Sequence, residues 1–313
     1  MLNTQTKVQA LFKIVAVNPE TNQEKNLTDW FPNLVLNNGL NRMSQGAWIN
    51  RVLVGSGNSI PSVNQTTLDN FVASTTGYNG TITPGSQLVT MPYYLTLNFV
   101  FRFNQGVAAG NLSEIGLGWS NTECWNRALI LDTNGNPTTI TVLDNEFLDI
   151  HIELRIYPKL EDTVLSFNLR DDKNAIISTH TATIRPNLRT TLSTTQIGAG
   201  AIRVGRLDTT TSSGGSITIH PPTANMGDIL TNTYPNAPLG SISSAIANDS
   251  YPTPRSSTAV FKGTITQVIG DHAVIVVPTG LGTYKVAIDP PITKLNTESI
   301  EHSFTVLWDR YTE

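Results

Sequence analysis

Residues 113–158 read SEIGLGWSNTECWNRALILDTNGNPTTITVLDNEFLDIHIELRIYP, and this stretch decides the fold class. From residue 146 to residue 157, apolar and polar residues alternate strictly, which is typical of a β-strand with one buried face. Upstream, Asn134-Gly135 is the dipeptide that most readily adopts the positive φ angles of a tight hairpin turn. The stretch therefore predicts two short strands in a hairpin, followed by one long strand.

The same alternation occurs at two other places in the first half. It is present in the opening residues 8–16, and at residues 93–103 it gives one face a stripe of large apolar side chains. Such a stripe has to be covered by another sheet or by another subunit. We therefore predict core or assembly-interface positions at this stripe and at two further aromatic residues: Leu95, Leu97, Phe99, Phe101, Phe103, Trp30 and Phe31.

After Pro158 the alternation is looser. It predicts strands at 163–170, 175–184, 216–220, 260–269, 272–278, 283–289 and 299–308. Between them, residues 207–215 and 225–254 are rich in Thr, Ser, Gly and Pro and show little periodicity. Irregular stretches of this length typically contact other subunits or a target, so we expect them to become ordered on assembly.

Only two short helices are predicted. The first lies near 38–46, with Asn37 or Asn38 as its N-cap. The second lies near 64–74, where the apolar residues of VNQTTLDNFV have helical spacing. The predicted fold class is therefore mainly β, with antiparallel, sandwich-like sheets and a few short helices.

The length of 313 residues allows two β-rich domains, which we place at 1–158 and 159–313. The two parts have similar final strands, EFLDIHIELRIY at 146–157 and ESIEHSFTVLWDRY at 298–311. This similarity suggests a duplication, and coincidence is the alternative.

Composition argues against several classes of function. The charged fraction is 14% and the net charge is −4, so no basic field is available to attract nucleic acid. Cys124 is the single cysteine, which excludes an internal disulfide and is best explained as a small buried hydrophobe. Lys7 and Lys13 interrupt the apolar opening run, so we expect neither a secretion signal nor membrane insertion.

No spacing of acidic residues predicts a catalytic centre. Asp149 and Glu153 share a strand face with His151 and Arg155, and such an alternating row of charges is typical of a solvated face. Glu114 is the most interesting single acid, and we expect it to fix a loop rather than to transfer protons. No catalytic residue is predicted.

Four further motifs also have structural explanations. Asp132–Asn136 resembles the start of a calcium loop but lacks the required later residues, and Gly55-Ser56-Gly57 lacks the third glycine of a dinucleotide fingerprint. The five histidines have no metal-ligand spacing, so neither a metal nor a cofactor is predicted. Trp119 and Trp125 are weak candidates for stacking on a glycan, with core packing as the alternative.

Five blocks of the chain resemble structural proteins of tailed bacteriophages. They are WFPNLVLNNGLNRM (30–43), VGSGNSIPSVNQTTL (54–68), SEIGLGWS (113–120), RALILDTNGNPTTITVLDNEFLDIHIELRIYP (127–158) and DPPITKLNTESIEHSFTVLWDRY (289–311). The resemblance implies a tail-fibre, collar or baseplate-associated virion protein that is β-rich, lacks enzymatic activity and is homo-oligomeric. Because no extended shaft sequence is present, a compact collar, connector or short appendage fits better than a whole fibre.

The leading hypothesis is therefore a non-enzymatic virion protein, made in the host cytoplasm, that forms a trimer or higher ring and docks on other phage tail or neck proteins. The alternative is a receptor-binding adhesin whose partner is a host-surface glycan. A third hypothesis is a polysaccharide-degrading enzyme with two close acids, for which Glu114→Gln and Glu153→Gln are the test variants.

Overall fold

The computed structural model describes residues 2–194, 198–207, 214–222, 224–231, 237–245 and 249–312. In these residues the fold is mainly β, as predicted, with four sheets and one short helix. The irregular segments predicted at 207–215 and 225–254 fall partly outside the described residues. In the described part of the chain, no helix is long and apolar enough to cross a membrane.

The elements follow one another along the chain in this order. The first strands are β1 (Leu2–Val17), β2 (Glu24–Asn26), β3 (Phe31–Pro32), β4 (Leu34–Val35), then helix α1 (Asn37–Arg42), β5 (Arg51–Gly55), β6 (Phe71–Thr75), β7 (Thr83–Gln87) and β8 (Tyr94–Phe103). The middle strands are β9 (Gly110–Leu112), β10 (Glu114–Ser120), β11 (Glu123–Cys124), β12 (Asn126–Leu129), β13 (Ile140–Val142), β14 (Phe147–Pro158), β15 (Thr163–Arg170) and β16 (Ile176–Asn187). The last strands are β17 (Ser216–His220), β18 (Gly240–Ser243), β19 (Asp249–Ser250), β20 (Ser256–Gly263), β21 (Gly270–Thr279), β22 (Gly282–Lys294) and β23 (Ile300–Arg310).

The largest sheet is built around β1 and contains strands from both ends of the chain. Its order is β19-β20-β23-β1-β14-β8-β7, and β2 and β3 also pair with β1. Ile14 lies opposite Ile150, which in turn lies opposite Phe101, and none of these three side chains is exposed. The period-two pattern of the sequence therefore becomes one continuous apolar face.

This sheet pairing crosses the predicted domain boundary between residues 158 and 159. β1 pairs antiparallel with β14 on one side and parallel with β23 on the other. One hydrophobic core also contains residues from both parts, including Leu2 and Trp308. Whether either part folds alone stays a prediction. The duplication also stays a prediction. The two similar strands, β14 and β23, lie on either side of β1 and run in opposite directions.

Two smaller sheets contain the middle of the chain. One has the order β4-β12-β10-β5-β6, with β11 on β10, and the other pairs β13 with β9. A turn is present at Asn134-Gly135, where Gly135 has a φ of 80° and the Asp132 N–H donates to the Asn136 carbonyl at 2.9 Å. The predicted hairpin of two short strands is wrong, because β12 pairs with β10 and β13 pairs with β9, and an isolated bridge between Leu131 and Pro137 is what flanks the turn.

The second large sheet has the order β15-β16-β22-β21-β17-β18. Each strand predicted after Pro158 overlaps an observed strand. The largest offset is at the strand predicted for 260–269, because β20 ends at Gly263. There the Gln267 N–H donates to the Thr264 carbonyl at 3.2 Å, and the resulting turn ends the strand.

Of the two predicted helices, the first is present and the second is wrong. α1 spans Asn37–Arg42 with Leu36 as its N-cap, so the predicted N-cap at Asn37 or Asn38 is wrong. The Asn37 side chain bonds Asn64, Arg255 and Arg310 instead of capping the helix. At the end of that range, residues Phe71–Thr75 form β6, which pairs with β5. The apolar residues there do not form one buried helical face, since Phe71 and Val72 are exposed.

Candidate functional site

Glu114, the most interesting acid in the sequence, is fully buried at the start of β10. Its Oε1 accepts the backbone N–H groups of Gly57 at 2.9 Å and Asn70 at 2.7 Å. Its Oε2 accepts the Asp69 N–H at 3.0 Å and the Arg127 Nε–H at 2.8 Å. Both carboxylate oxygens are thus occupied by protein donors. The prediction that Glu114 fixes a loop is confirmed.

Arg127 completes the same network from β12. Its guanidinium is fully buried and also donates to Gln65 Oε1 at 2.9 Å and to Asp69 Oδ2 at 2.8 Å. The segment from Gly57 to Asn70, which the sequence predicted to be partly helical, is therefore held in an irregular conformation by a buried ion pair. We call this segment the anchored loop.

The glycines of Gly55-Ser56-Gly57 permit this arrangement. A methyl group built on Gly57 would overlap Glu114 Oε1 and the Asp69 side chain. One built on Gly55 would lie 2.5 Å from the Asn70 carbonyl oxygen and 2.6 Å from Glu114 Oε1. These glycines therefore allow close approach of the backbone to a carboxylate.

The apolar stripe on β8 is the inner face of the largest sheet. Leu95, Leu97, Phe99, Phe101 and Phe103 are each at most 3% exposed and belong to the hydrophobic core. Two roles were predicted for these residues, core packing and an assembly interface. The structure supports core packing, because other parts of the same chain already cover these side chains.

The other predicted contact residues are separated by the fold. Phe31 is buried beside Phe12, with ring centroids 5.9 Å apart, whereas Trp30 next to it is 45% exposed. Trp125 is fully buried against Trp48, so its assignment as a glycan contact is wrong. Trp119 is half-buried, lies beneath the Arg42 guanidinium and donates its indole N–H to Glu123 Oε2 at 2.8 Å. A glycan contact at Trp119 stays a prediction.

The charged row on β14 is less solvated than its sequence suggests. Asp149 is 3% exposed and accepts two hydrogen bonds from Arg102, at 2.7 and 2.6 Å. Glu153 accepts from Arg155 at 2.6 Å. Asp149 and Glu153, the two acids on this strand that were considered for catalysis, therefore each bond a neighbouring arginine.

A β-ribbon extends beyond the body of the second large sheet, and sequence reasoning did not single it out. β16 pairs with β22 only from Thr181 onward, whereas β15 and β16 continue to pair as far as Arg170 and Ile176. We call residues 168–179 the arm. Among the described residues, the arm residues of β15 and β16 form their backbone pairs with each other and not with another strand.

The turn at the end of the arm is ordered by its own hydrogen bonds. Asp171 Oδ1 accepts the N–H groups of Lys173 at 3.0 Å and Ala175 at 2.8 Å, and Arg170 donates to the Asn174 carbonyl at 2.8 Å. This side-chain closure is typical of an Asx turn. The arm is therefore a defined structure, although little of it is buried.

Apolar side chains lie exposed on the arm and beside it. Ile176 and Ile177 are 55% and 62% exposed, and Val164 on β15 is 61% exposed. Between Val164 and Leu169, β15 carries neither a charge nor a proline, the residues that commonly protect a sheet edge. In the described part of the chain, β15 pairs with β16 alone.

Two adjoining clefts lie where β8 begins and β14 and β23 end. Their volumes are about 330 and 370 Å³, and they share Pro92, Tyr157 and Tyr311. Tyr93 lines the first cleft, and Tyr94 lines the second. We call this surface, formed by Pro92 and the four tyrosines, the tyrosine cleft.

The aromatic rings of the tyrosine cleft contact one another. Tyr157 and Tyr311 stack with centroids 3.9 Å apart and planes 15° apart, and Tyr94 lies 5.1 Å from Tyr157. The Tyr157 hydroxyl donates to Gln9 Oε1 at 3.0 Å. Burial raises the pKa of Tyr157 to about 12, so this donor stays protonated at neutral pH.

The similar final strands were the sequence signal that points to this cleft. Tyr157 ends the first of them, Tyr311 ends the second, and the fold stacks the two rings. The alternation pattern does not predict this contact. A period-two pattern indicates which face of a strand a residue lies on, but it does not indicate which strands pair.

The histidines include one buried pair. His272 Nε2 lies 2.6 Å from the Val268 carbonyl, so it carries the proton, and the His272 Nδ1 accepts from His302 Nε2 at 3.0 Å. Burial lowers the pKa of both rings, which are neutral near pH 7. In the described residues, no group of three or more His, Cys, Asp or Glu side chains is arranged to hold a metal ion.

Cys124 is buried beside Leu36, Leu53 and Leu68, as expected of a small hydrophobe. Burial raises the pKa of its thiol to about 12, so the reactive thiolate is scarce at neutral pH.

No protein-family model matches the chain, and the comparisons with curated proteins and with solved structures find no match either. The anchored loop, the arm and the tyrosine cleft are therefore the features on which a functional proposal rests.

Proposed function

We propose that this chain is a non-enzymatic structural protein of a tailed-bacteriophage virion, of the collar, tail-fibre or baseplate-associated type. It self-assembles into a trimer or higher ring and docks on other tail or neck proteins. Two lines of support are independent of each other: the five sequence blocks that resemble such proteins, and the exposed arm. The arm is the observation that carries the proposal.

A projecting two-stranded ribbon gains little stability from its own contacts in water. The arm nevertheless exposes Ile176 and Ile177, and the unprotected edge of β15 lies beside it. Exposed apolar side chains next to an open sheet edge are typical of a surface that another chain covers. Burial of these residues on a neighbouring subunit explains why the chain retains them.

The neighbouring subunit is a second copy of this chain. When the arm of one copy lies on a different surface of the next copy, the contact is head to tail, and its repetition gives a ring when the rotation between copies closes. Two aspartates in the arm, Asp171 and Asp172, are balanced by Arg170 and Lys173, so the arm does not require a strongly charged surface on the next copy.

The state of the acidic residues supports the non-enzymatic part of the proposal. Glu114 is enclosed by four donors, and Glu153 is paired with Arg155. General acid or base catalysis requires a carboxyl group that reaches the substrate, directly or through one water molecule. The third hypothesis, a polysaccharide-degrading enzyme, loses its best candidate acid.

The arm is tested by changing its exposed tip. Ile176→Lys combined with Ile177→Lys places two charges on the surface that we assign to assembly. Sedimentation velocity is expected to give a trimer or larger ring for the unchanged chain and a monomer for the double variant, with equal far-ultraviolet circular dichroism spectra that show the variant to be folded. Val89→Lys is the matched control, because Val89 is an 88% exposed apolar residue outside the arm.

A monomeric unchanged chain, or a double variant that still assembles, contradicts the assembly role of the arm. The virion role is tested separately by electron cryomicroscopy of the tailed particle whose genome encodes this chain. Density for the chain at the neck, sheath or baseplate is expected. A mature particle that lacks the chain contradicts the virion assignment.

A further inference from the structure

The tyrosine cleft lies outside the arm, since none of its lining residues falls within 168–179. It combines ring surfaces with polar side chains in two adjoining depressions, each of a size that holds a small ligand or one unit of a longer one. Its chemistry therefore has to be explained separately.

The ring surfaces are fixed before any ligand arrives. The Tyr311 N–H donates to the Val8 carbonyl at 2.9 Å, and the Tyr311 ring stacks on Tyr157, whose hydroxyl is held by Gln9. The Arg155 guanidinium lies 4.6 Å from the centre of the Tyr94 ring. Such rigid aromatic groups lose little conformational entropy on binding, which favours recognition by a shallow surface.

The polar groups of the cleft include both donors and acceptors. Gln5 and Glu161 line the first depression, and Thr90 lines the second. The hydroxyl groups of a sugar donate and accept, so they can satisfy all three side chains. A proline-rich peptide, the other common ligand of aromatic grooves, offers carbonyl acceptors and few N–H donors, so it replaces fewer of the hydrogen bonds that water makes to the exposed Glu161 carboxylate.

The charges in the cleft are partly compensated. Arg155 pairs with Glu153 at 2.6 Å, whereas Lys159 Nζ donates to the neutral hydroxyl of Thr163 at 3.2 Å and keeps its charge. Lys7 and Glu161 have opposite charges and line the same depression. A strongly anionic ligand finds no concentrated positive charge here, whereas a neutral ligand avoids a large desolvation penalty.

We propose that the tyrosine cleft is a binding site for a neutral saccharide, with a sugar ring packed against Tyr311 and a second unit in the adjoining depression. Aromatic faces supply the apolar contact, and the amide, carboxylate and hydroxyl groups bond the sugar hydroxyls. The site requires no enzymatic activity, and its lining residues lie outside the arm.

The test is isothermal titration calorimetry on the full chain with neutral tetrasaccharides of glucose, galactose, mannose and N-acetylglucosamine, in α- and β-linked forms where these exist. At least one is expected to bind with a Kd of about 1 mM or below. Tyr311→Ala is expected to weaken that binding by about tenfold or more, and Tyr311→Phe to retain most of it.

Trp30→Ala is the matched control, because Trp30 is an exposed aromatic residue outside the cleft. This variant is expected to bind the saccharide with the same Kd as the unchanged chain. If Tyr311→Ala does not fold, Tyr93→Ala removes a ring from the first depression instead and is expected to weaken binding. No binding by any tetrasaccharide, binding that survives both alanine variants, or displacement of the bound sugar by octaproline would overturn the proposal.

Discussion

Glu114 and Arg127 form an ion pair of 2.8 Å in which neither side chain is exposed to solvent. The remaining hydrogen-bonding capacity of Glu114 is directed to the backbone of the anchored loop, and that of Arg127 to Gln65 and Asp69. A buried charge pair is tolerated when hydrogen bonds satisfy both groups in this way. The pair therefore determines the conformation of a loop that has little hydrophobic content.

Glu114→Gln is expected to destabilise the chain by about 3 kcal/mol, because the buried Arg127 guanidinium would lose its buried counter-charge and keep only that of the partly exposed Asp69. Urea unfolding at pH 7 measures the loss. Glu153→Gln is the control, since the pair of Glu153 with Arg155 is partly exposed, and its loss should be below about 1 kcal/mol. Equal losses in the two variants would contradict the role assigned to Glu114.

Gly57→Ala is expected to reduce the free energy of unfolding by about 1–3 kcal/mol, because the added methyl group would displace the Glu114 carboxylate and Asp69. Gly46→Ala is the matched control. Its methyl group would meet only the flexible end of Arg42, at 3.4 Å. A neutral effect of Gly57→Ala in urea unfolding would show that the loop moves freely away from Glu114.

The buried histidine pair predicts a loss of stability in mild acid. Burial, reinforced by the neighbouring His272, lowers the pKa of His302 to about 3, and burial also lowers the pKa of His272. The unfolded chain therefore binds more protons than the folded chain below pH 6.5. Stability is fully present above pH 6.5 and is lost as the pH falls toward 3, by about 1.4 kcal/mol per pH unit for His302, and the lowered pKa of His272 adds to this loss.

Urea unfolding at pH 8, 7, 6 and 5 tests this dependence, with the range from pH 8 to 7 as an internal control in which the histidine contribution is small. The other charged groups that act on the pair are Lys294 and Asp271. His302→Gln is expected to reduce the slope between pH 6 and pH 5 by about 1.4 kcal/mol per pH unit. An unchanged slope would mean that the carboxyl groups, and not His302, control stability in this range.

Phe101→Ala is expected to destabilise the chain by about 3–5 kcal/mol, because Phe101 is fully buried at the centre of the apolar stripe. Trp30→Ala should change stability by no more than about 0.5 kcal/mol, since Trp30 is largely exposed. Thermal unfolding compares the two variants. A large loss of assembly with little loss of stability in Phe101→Ala would restore the interface interpretation of the stripe.

Much of the architecture could be predicted because the signals are local. Alternation located β8, β14 and β15, and Asn134-Gly135 located its turn. The anchored loop was predicted incorrectly because VNQTTLDNFV has helical spacing. The deciding factor there is a carboxylate about 45 residues away in the chain, whose oxygens take the backbone N–H groups of Asp69 and Asn70 that a helix would have used.

The sequence by itself determined that this protein is mainly β, which faces of its strands are apolar, and that Glu114 fixes the conformation of a loop. Those properties follow from the period of the strand and from residue chemistry, both of which act over a few residues. Only the tertiary structure decided that β1 joins β14 to β23, that the arm extends beyond its sheet, and that Tyr157 stacks on Tyr311. Strand pairing joins residues hundreds of positions apart, and period-two patterns fit many partners equally well.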